Sequence, residues 1–264
     1  MAPPNTFRKL QDKHVLVLGG TSGIGFAVAQ GALADGARVT VASSTSARVD
    51  KAVQTLKEQN GPGAVVQGFV CDVSTGDIES TLETLIKSAT SGPAGELNHI
   101  VYTAANSASM NLGTIAEANP ATILAGAQMR MFVPIMLAKL ATRYLPKSIE
   151  SSLTFTSGQA SDKPPPGWSL MLFFTGGVQT FAKGLAVDLA PTRVNVVLPG
   201  AVDTELWNIM PQEQKEGYFA AVSKKLLAGS IGRPEDVAEA YLWLLKDRFA
   251  TGTFAASNGG ALLV

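Results

Sequence analysis

At 264 residues, 46% of them hydrophobic and 26 of them glycine, the chain has apolar material for one large core, and a single domain is expected. The 21 Lys and Arg residues balance the 21 Asp and Glu residues with no basic block longer than a residue pair, so nucleic acid is excluded as an expected partner. Met1 to Leu10 is polar with no apolar leader core and no later run approaches bilayer-spanning length, so the expectation is a tail over 1–10, a domain over 11–264, a cytoplasmic location and no membrane partner.

His14 to Leu18 is the first of seven short β-branched runs that alternate with longer segments of helical period. It enters a glycine-rich turn, Gly19, Gly20, Thr21, Ser22, Gly23, Ile24 and Gly25, and a helix over Phe26 to Ala34 follows. Glycine permits a tight turn and close backbone approach, and the free amides at the start of the helix can receive a pyrophosphate. An ordinary loop with extra glycine is the alternative, but the strand before and the helix after favour nucleotide binding. The second strand, Arg38 to Ala42, ends without the acid that would accept from a ribose 2′-hydroxyl and repel a 2′-phosphate. Ser43, Ser44, Thr45, Ser46 and Arg48 stand there instead, which favours NADP(H) over NAD(H). A Ser/Thr helix cap beside a solvated Arg is the alternative, and capping is compatible with both.

Ala64 to Val70 is the third strand and leads to Cys71, Asp72 and Val73. Cys71 is the lone cysteine and His14 and His99 the two histidines, so neither a disulfide nor a Cys/His metal cluster is expected. The fourth strand, His99 to Thr103, is followed by Ala104 and Ala105 and then by a helix carrying Arg130. Its helical neighbours include Ala127, Met131, Pro134, Leu137 and Ala138, so Arg130 emerges from an apolar face. It is either an interior Arg satisfied by carbonyls or a carboxylate, or a pocket residue. Leu153 to Thr156 is the fifth strand and ends at Ser157. A stiff Pro-rich loop, Lys163 to Gly167, then delivers Trp168, which is either core or a stacking surface. The sixth strand, Arg193 to Leu198, leads into Pro199, Gly200, Val202, Asp203 and Thr204. Glu205 to Leu227, with Trp207 and Tyr218, is expected to form a lid over a pocket for a bulky apolar small molecule, and Thr253 to Ser257 completes the seven strands. Runs this apolar fit a doubly wound α/β architecture, a parallel sheet with helices on both faces.

The glycine turn at Gly19 to Gly25, Asp72 after the third strand, the run Thr103, Ala104 and Ala105, the turn from Pro199 to Thr204, and the segments Arg233 to Ala238 and Asn258 to Gly260 resemble the short-chain dehydrogenase/reductases. The resemblance covers nearly the whole chain. It implies a seven-stranded Rossmann-type sheet, an adenine contact from Asp72 and Val73, a nicotinamide contact from the Pro199 turn, and assembly into dimers or tetramers. It also implies four catalytic positions: an Asn on the fourth helix, a Ser after the fifth strand, and a Tyr and a Lys four apart on the fifth helix. Ser157 holds the second, and Arg130 stands at the first. Counted back from Gly184 to Leu189, the Tyr and Lys positions fall on Met171 and Thr175, and no Tyr lies between Ser157 and Ala190. A thioether has no proton to give and Thr175 carries no charge.

Pro164 to Trp168 in front of such a helix, together with Arg130, is similar to the NADP(H)-dependent reductase/Diels-Alderases of fungal prenylated indole alkaloid pathways, a divergent branch of the family. Those proteins carry an Asp where this chain has Pro165, and Asp162 is a substitute for it to be tested. Three readings follow. The first is an oxidoreductase of secondary metabolism that reduces an iminium carbon, with or without cyclisation, Arg130, Ser157 and Trp168 carrying the catalytic roles. The second is a non-redox cyclase or isomerase, and the third a cofactor-binding pseudoenzyme.

Overall fold

The computed structural model describes residues 7–110 and 112–264. Seven strands run in parallel: β1 (His14–Leu18), β2 (Arg38–Ser43), β3 (Val66–Val70), β4 (His99–Tyr102), β5 (Ser152–Thr156), β6 (Arg193–Pro199) and β7 (Phe254–Ser257). Their order across the sheet is β3-β2-β1-β4-β5-β6-β7. The strands match the seven apolar runs to within two residues. Side chains alternate between faces, so one apolar run feeds two cores. Val15 and Val17 face one layer, formed by α1 (Gly23–Ala34), α2 (Ser46–Asn60) and α9 (Pro234–Lys246). Leu16 and Leu18 face the other, formed by α3 (Ile78–Ser91), α6 (Val133–Tyr144) and α7 (Ser169–Asp188). Leu10, assigned by sequence to the tail, is fully buried in the α1/α9 layer, so the packed body begins before residue 11.

Between β4 and α6 lie α4 (Ser107–Met110) and α5 (Pro120–Ala127), the latter begun by Pro120 and capped by the Asn119 side chain on the Thr122 amide. A π-helical turn over Gln128–Phe132 joins α5 to α6, where the sequence reading assumed regular helical period. The helix that results, Pro120–Tyr144, and α7 are each long and apolar enough by length and composition to cross a membrane. This corrects the expectation that no such run exists; each helix packs one face on the body, as the core helices of a layered α/β domain do. After β6 come a 3₁₀ turn at Glu205–Ile209 and α8 (Gln212–Ser223), which has no fully buried residue.

The chain crosses from one side of the sheet to the other between β1 and β4. In sheets of this kind the crevice outside the carboxyl ends of the strands, at that reversal, is where ligands bind.

Candidate active site

A cavity of about 710 Å³ occupies that crevice, walled by the carboxyl ends of β1 to β6, and the cofactor-contacting and catalytic residues expected from sequence, Asp162 apart, line it. At the glycine turn, Gly19 has φ +87°, and a Cβ there would lie 2.6 Å from the Ala104 amide nitrogen. A Cβ on Gly25 would lie 2.2 Å from the Gly19 carbonyl oxygen. Only glycine lets these backbones close, and the closure leaves the start of α1 open toward the cavity, flanked by Thr21, Ser22, Gly23 and Ile24. Thr103 holds the neighbouring strand end by donating from Oγ1 to the Leu18 carbonyl at 3.0 Å. Ala104 and Ala105 follow as small walls.

At the end of β2, Ser43 lines the cavity and Arg48 is held in place. Its Nη2 donates to Ser44 Oγ at 2.6 Å and its Nε to Thr45 Oγ1 at 3.1 Å. No carboxylate ends this strand, so the pair offers a guanidinium and hydroxyls to a phosphate. Asp72 accepts from the hydroxyl and the amide of Ser74, which hold its pKa below the usual carboxylate range, and Val73 sits beside it. On the far wall are Pro199, Gly200, Val202 and Thr204; a Cβ on Gly200 would lie 2.7 Å from Asn258 Cα, which fixes this turn against the chain's last segment. These elements, an open helix start, an acid fixed on a strand end and a cationic fork, fit a phosphorylated dinucleotide.

The other half of the cavity is shaped for something else. Arg130 comes off the π turn; its Nε donates to the Ser109 carbonyl at 2.9 Å and its Nη2 approaches Met110 Sδ at 2.7 Å. Among the described residues it has no carboxylate partner, and burial lowers its pKa from the usual guanidinium value. Ser157 Oγ donates to the Thr175 carbonyl at 2.9 Å and receives Gln179 Nε2 at 3.4 Å, so its proton is already engaged. Met171 and Thr175 are buried on α7 beside it, and Thr175 Oγ1 exchanges a hydrogen bond with Ser161 Oγ at 2.9 Å. Trp168 opens α7, 40% exposed, at the cavity wall next to Pro165. Asp162 is exposed and does not line the cavity, which removes it as the substitute for an acid at residue 165.

Trp207 and Tyr218 close one side, with ring centroids 5.0 Å apart and Trp207 Nε1 donating to the Val202 carbonyl at 2.8 Å. Among the lining residues that sequence reasoning missed are Tyr102, Met110 and Gln159. Tyr102 had a signal: it sits at the carboxyl end of a central strand, where such sheets place functional groups.

An SDR-like Rossmann domain model matches residues 6–264. The chain is 40% identical to the short-chain dehydrogenase/reductase malC of Malbranchea aurantiaca over 267 aligned residues, covering 100% of both. It is 39% identical to the short-chain dehydrogenase/reductase ATR9 of Stachybotrys chlorohalonatus, covering 96% of this chain and 98% of that one. The solved structure of the MalC reductase/Diels-Alderase from Malbranchea aurantiaca superposes with a TM-score of 0.91, covering 98% of this chain and 100% of that chain. The glycine-floored crevice, the strand order and these matches have one source: the chain belongs to the short-chain dehydrogenase/reductase family.

Proposed function

We propose that the chain is an NADP(H)-dependent reductase of fungal secondary metabolism that reduces a carbon–nitrogen double bond, an iminium, in a bulky alkaloid-type substrate, with cyclisation of the Diels-Alderase kind coupled to it. One observation carries the reading. The cavity has a dinucleotide half, yet on α7 beside Ser157 it presents the Met171 thioether and the Thr175 hydroxyl, neither of which can replace a phenol and an ammonium. The likeness to a solved reductase/Diels-Alderase at 40% identity supports the same direction.

When bound, the dinucleotide supplies hydride to an electrophilic carbon. The glycine turn and α1 bind its pyrophosphate, Arg48 with Ser43 and Ser44 selects the 2′-phosphate, and Asp72 and Val73 flank the adenine. A ketone would need a proton delivered as negative charge grows on its oxygen. An iminium carbon needs none, because its nitrogen already carries the positive charge that hydride addition removes. The residues of the substrate half therefore orient and desolvate. Arg130 donates charge-assisted hydrogen bonds to a carbonyl or carboxylate elsewhere on the substrate, and Trp168, Trp207 and Tyr218 enclose its apolar body. Ser157, its proton engaged by the Thr175 carbonyl, offers the substrate lone pairs.

The working unit is the one Rossmann domain, whose packed body includes Leu10, in a homo-oligomer in the cytoplasm. Exposed apolar side chains on the outer faces of the Arg130 helix and α7, Met131, Ile135, Phe173 and Val187, support pairing through those helices, and light scattering would return a dimer or tetramer.

The deciding experiment incubates the protein with NADPH and either a cyclic iminium or a simple aryl ketone. The expected result is NADPH oxidation matched to amine formation with the iminium and a rate at least about 10²-fold lower with the ketone, the contribution of general acid catalysis. Equal rates would refute the reading. Conversion of a diene to its cycloadduct without NADPH oxidation would make the protein a cyclase.

A further inference from the structure

We propose that Tyr102 is a positioning residue whose phenol fastens the π turn from which Arg130 reaches into the cavity, so that Tyr102 governs turnover through Arg130. The inference rests on the reading of Arg130 as the group that holds the substrate.

The argument begins with Pro134. In a regular helix each amide donates to the carbonyl four residues back, and a π turn moves the donor one residue further along. Here the Val133 amide donates to the Gln128 carbonyl, five residues back, instead of to Met129. The amide that would serve Met129 in the π register belongs to residue 134, and proline has none. The Met129 carbonyl is left without a helical donor in the protein interior, where an unpaired carbonyl is strongly disfavoured. Tyr102 supplies the donor, its hydroxyl lying 2.6 Å from that carbonyl in a buried bond. Burial keeps the phenol protonated, so it can act only as that donor or as an acceptor.

A second tether ties the same turn to the loop after β3, Gln128 Nε2 donating to the Val73 carbonyl at 3.3 Å. Between these anchors, the turn buries Met129 in the core and leaves Met131 exposed, and the intervening residue, Arg130, lies along the cavity against Ser109 and Met110. The added residue of a π turn shifts the helical phase by about 100°. Relaxation to regular α-helical bonding would rotate Arg130 away from the cavity without moving the rest of the sheet. Tyr102 itself comes from the end of β4 and lines the cavity, so one strand end fixes both a wall and the aim of the guanidinium.

The test uses Tyr102→Phe, which keeps the ring and removes the donor, with Arg130→Ala and the double variant, all as full chains. Two readouts are taken: kcat and KM for NADPH-dependent reduction of N-(2-carboxyethyl)-3,4-dihydroisoquinolinium, an iminium that carries a carboxylate for Arg130, and amide hydrogen exchange across residues 128–133. For Tyr102→Phe the expectation is a kcat about tenfold lower, NADPH affinity within about twofold of wild type, cooperative unfolding retained, and faster exchange confined to 128–133. In the Arg130→Ala background, adding Tyr102→Phe should change kcat by less than about twofold. Full turnover or unchanged exchange in Tyr102→Phe, or two losses that multiply in the double variant, would overturn the proposal while leaving Arg130 in its role. Full turnover in Arg130→Ala would instead overturn the reading of Arg130, and the proposal with it. If wild type does not reduce the probe, the iminium reading falls, and unchanged exchange in Tyr102→Phe would then sink the positioning role by itself.

Discussion

Two arginines sit at opposite ends of the same sheet, and their hydrogen bonds differ. At the amino ends of the strands, Arg193 begins β6 and is 2% exposed. Its Nε donates to the Ile149 carbonyl at 2.7 Å, Nη1 to Leu244 and Ala250 at 2.5 and 3.3 Å, and Nη2 to Leu245 at 2.9 Å. Leu244 and Leu245 lie in the last turn of α9, whose carbonyls have no helical donor, so this guanidinium caps a helix. Burial draws its pKa down to about 10, far enough above neutrality to keep the charge. At the carboxyl ends, Arg130 meets one carbonyl and one thioether and faces a cavity. A guanidinium has five N–H groups in a fixed fork. When the protein occupies the fork from all sides the residue is architecture; when it occupies one side, the rest is available to a ligand.

The same substitution at both positions is the sharpest way to break that contrast. Arg193→Met leaves several buried carbonyls without a donor, each worth about 1–3 kcal/mol, so a stability loss of about 3–5 kcal/mol is expected in urea unfolding. Arg130→Met removes a desolvated cation that has no counter-ion, so stability should change by less than about 1 kcal/mol while iminium reduction falls about 10²-fold. Equal destabilisation by the two would erase the distinction between a capping and a ligand-facing arginine.

The amino ends of the strands also carry both histidines, and these give the contrast a pH dependence. His14 shares Nδ1 with the Gly95 carbonyl and Nε2 with Thr40 Oγ1, and burial lowers its pKa to about 4. His99 pairs Nδ1 with Ser152 Oγ, and burial lowers its pKa to about 3. With folded values below the unfolded value of about 6.5, the unfolded chain binds more protons between them. Stability is therefore full above that unfolded value and is lost as the pH falls toward the folded ones. Each imidazole should cost about 2 kcal/mol by pH 5, read as a lower urea midpoint than at pH 7. A flat midpoint over that interval would mean the histidines are not held neutral.

The same division explains what could be read from the sequence. The dinucleotide half is built from short-range constraints: Gly25 must be glycine because the Gly19 carbonyl, from the same turn, lies where a Cβ would go, and β1 reads as a continuous apolar run because its alternate residues feed two cores. The substrate half is built from long-range pairings that no local pattern carries. Ser157 was legible as a position, but not that the Thr175 carbonyl, on another element, accepts its hydrogen bond. Arg130 was legible as an unusual cation on an apolar face, but not the π turn that aims it, since the proline that permits the turn looks like one more helical residue. Asp162 is three residues from Pro165 in sequence, yet it ends exposed at the close of a 3₁₀ turn over Gln159–Ser161, a turn that no periodicity announced.

The smallest expected effect belongs to Arg48, which tests whether a charge at the carboxyl ends of the strands serves a ligand even where water competes for it. Arg48 is exposed, and its two hydrogen bonds go to Ser44 and Thr45 rather than to carbonyls of the fold. Removing it should therefore leave stability unchanged within about 0.5 kcal/mol, as for an ordinary surface substitution. The guanidinium is pre-oriented, so little side-chain entropy remains to be lost on pairing with a 2′-phosphate, and a charge-assisted bond of this kind is worth about 1.5 kcal/mol when not fully buried. Arg48→Ala should accordingly weaken NADPH binding by about tenfold in titration calorimetry and leave NADH binding within about twofold. Raising the ionic strength should shrink the difference between wild type and variant, because an exposed pair is screened within a Debye length of about 10 Å at 0.1 M salt. An equal loss for NADPH and NADH would assign Arg48 to the pyrophosphate or to the cap of α2 instead, and cofactor preference would then have to rest on Ser43 and Ser44.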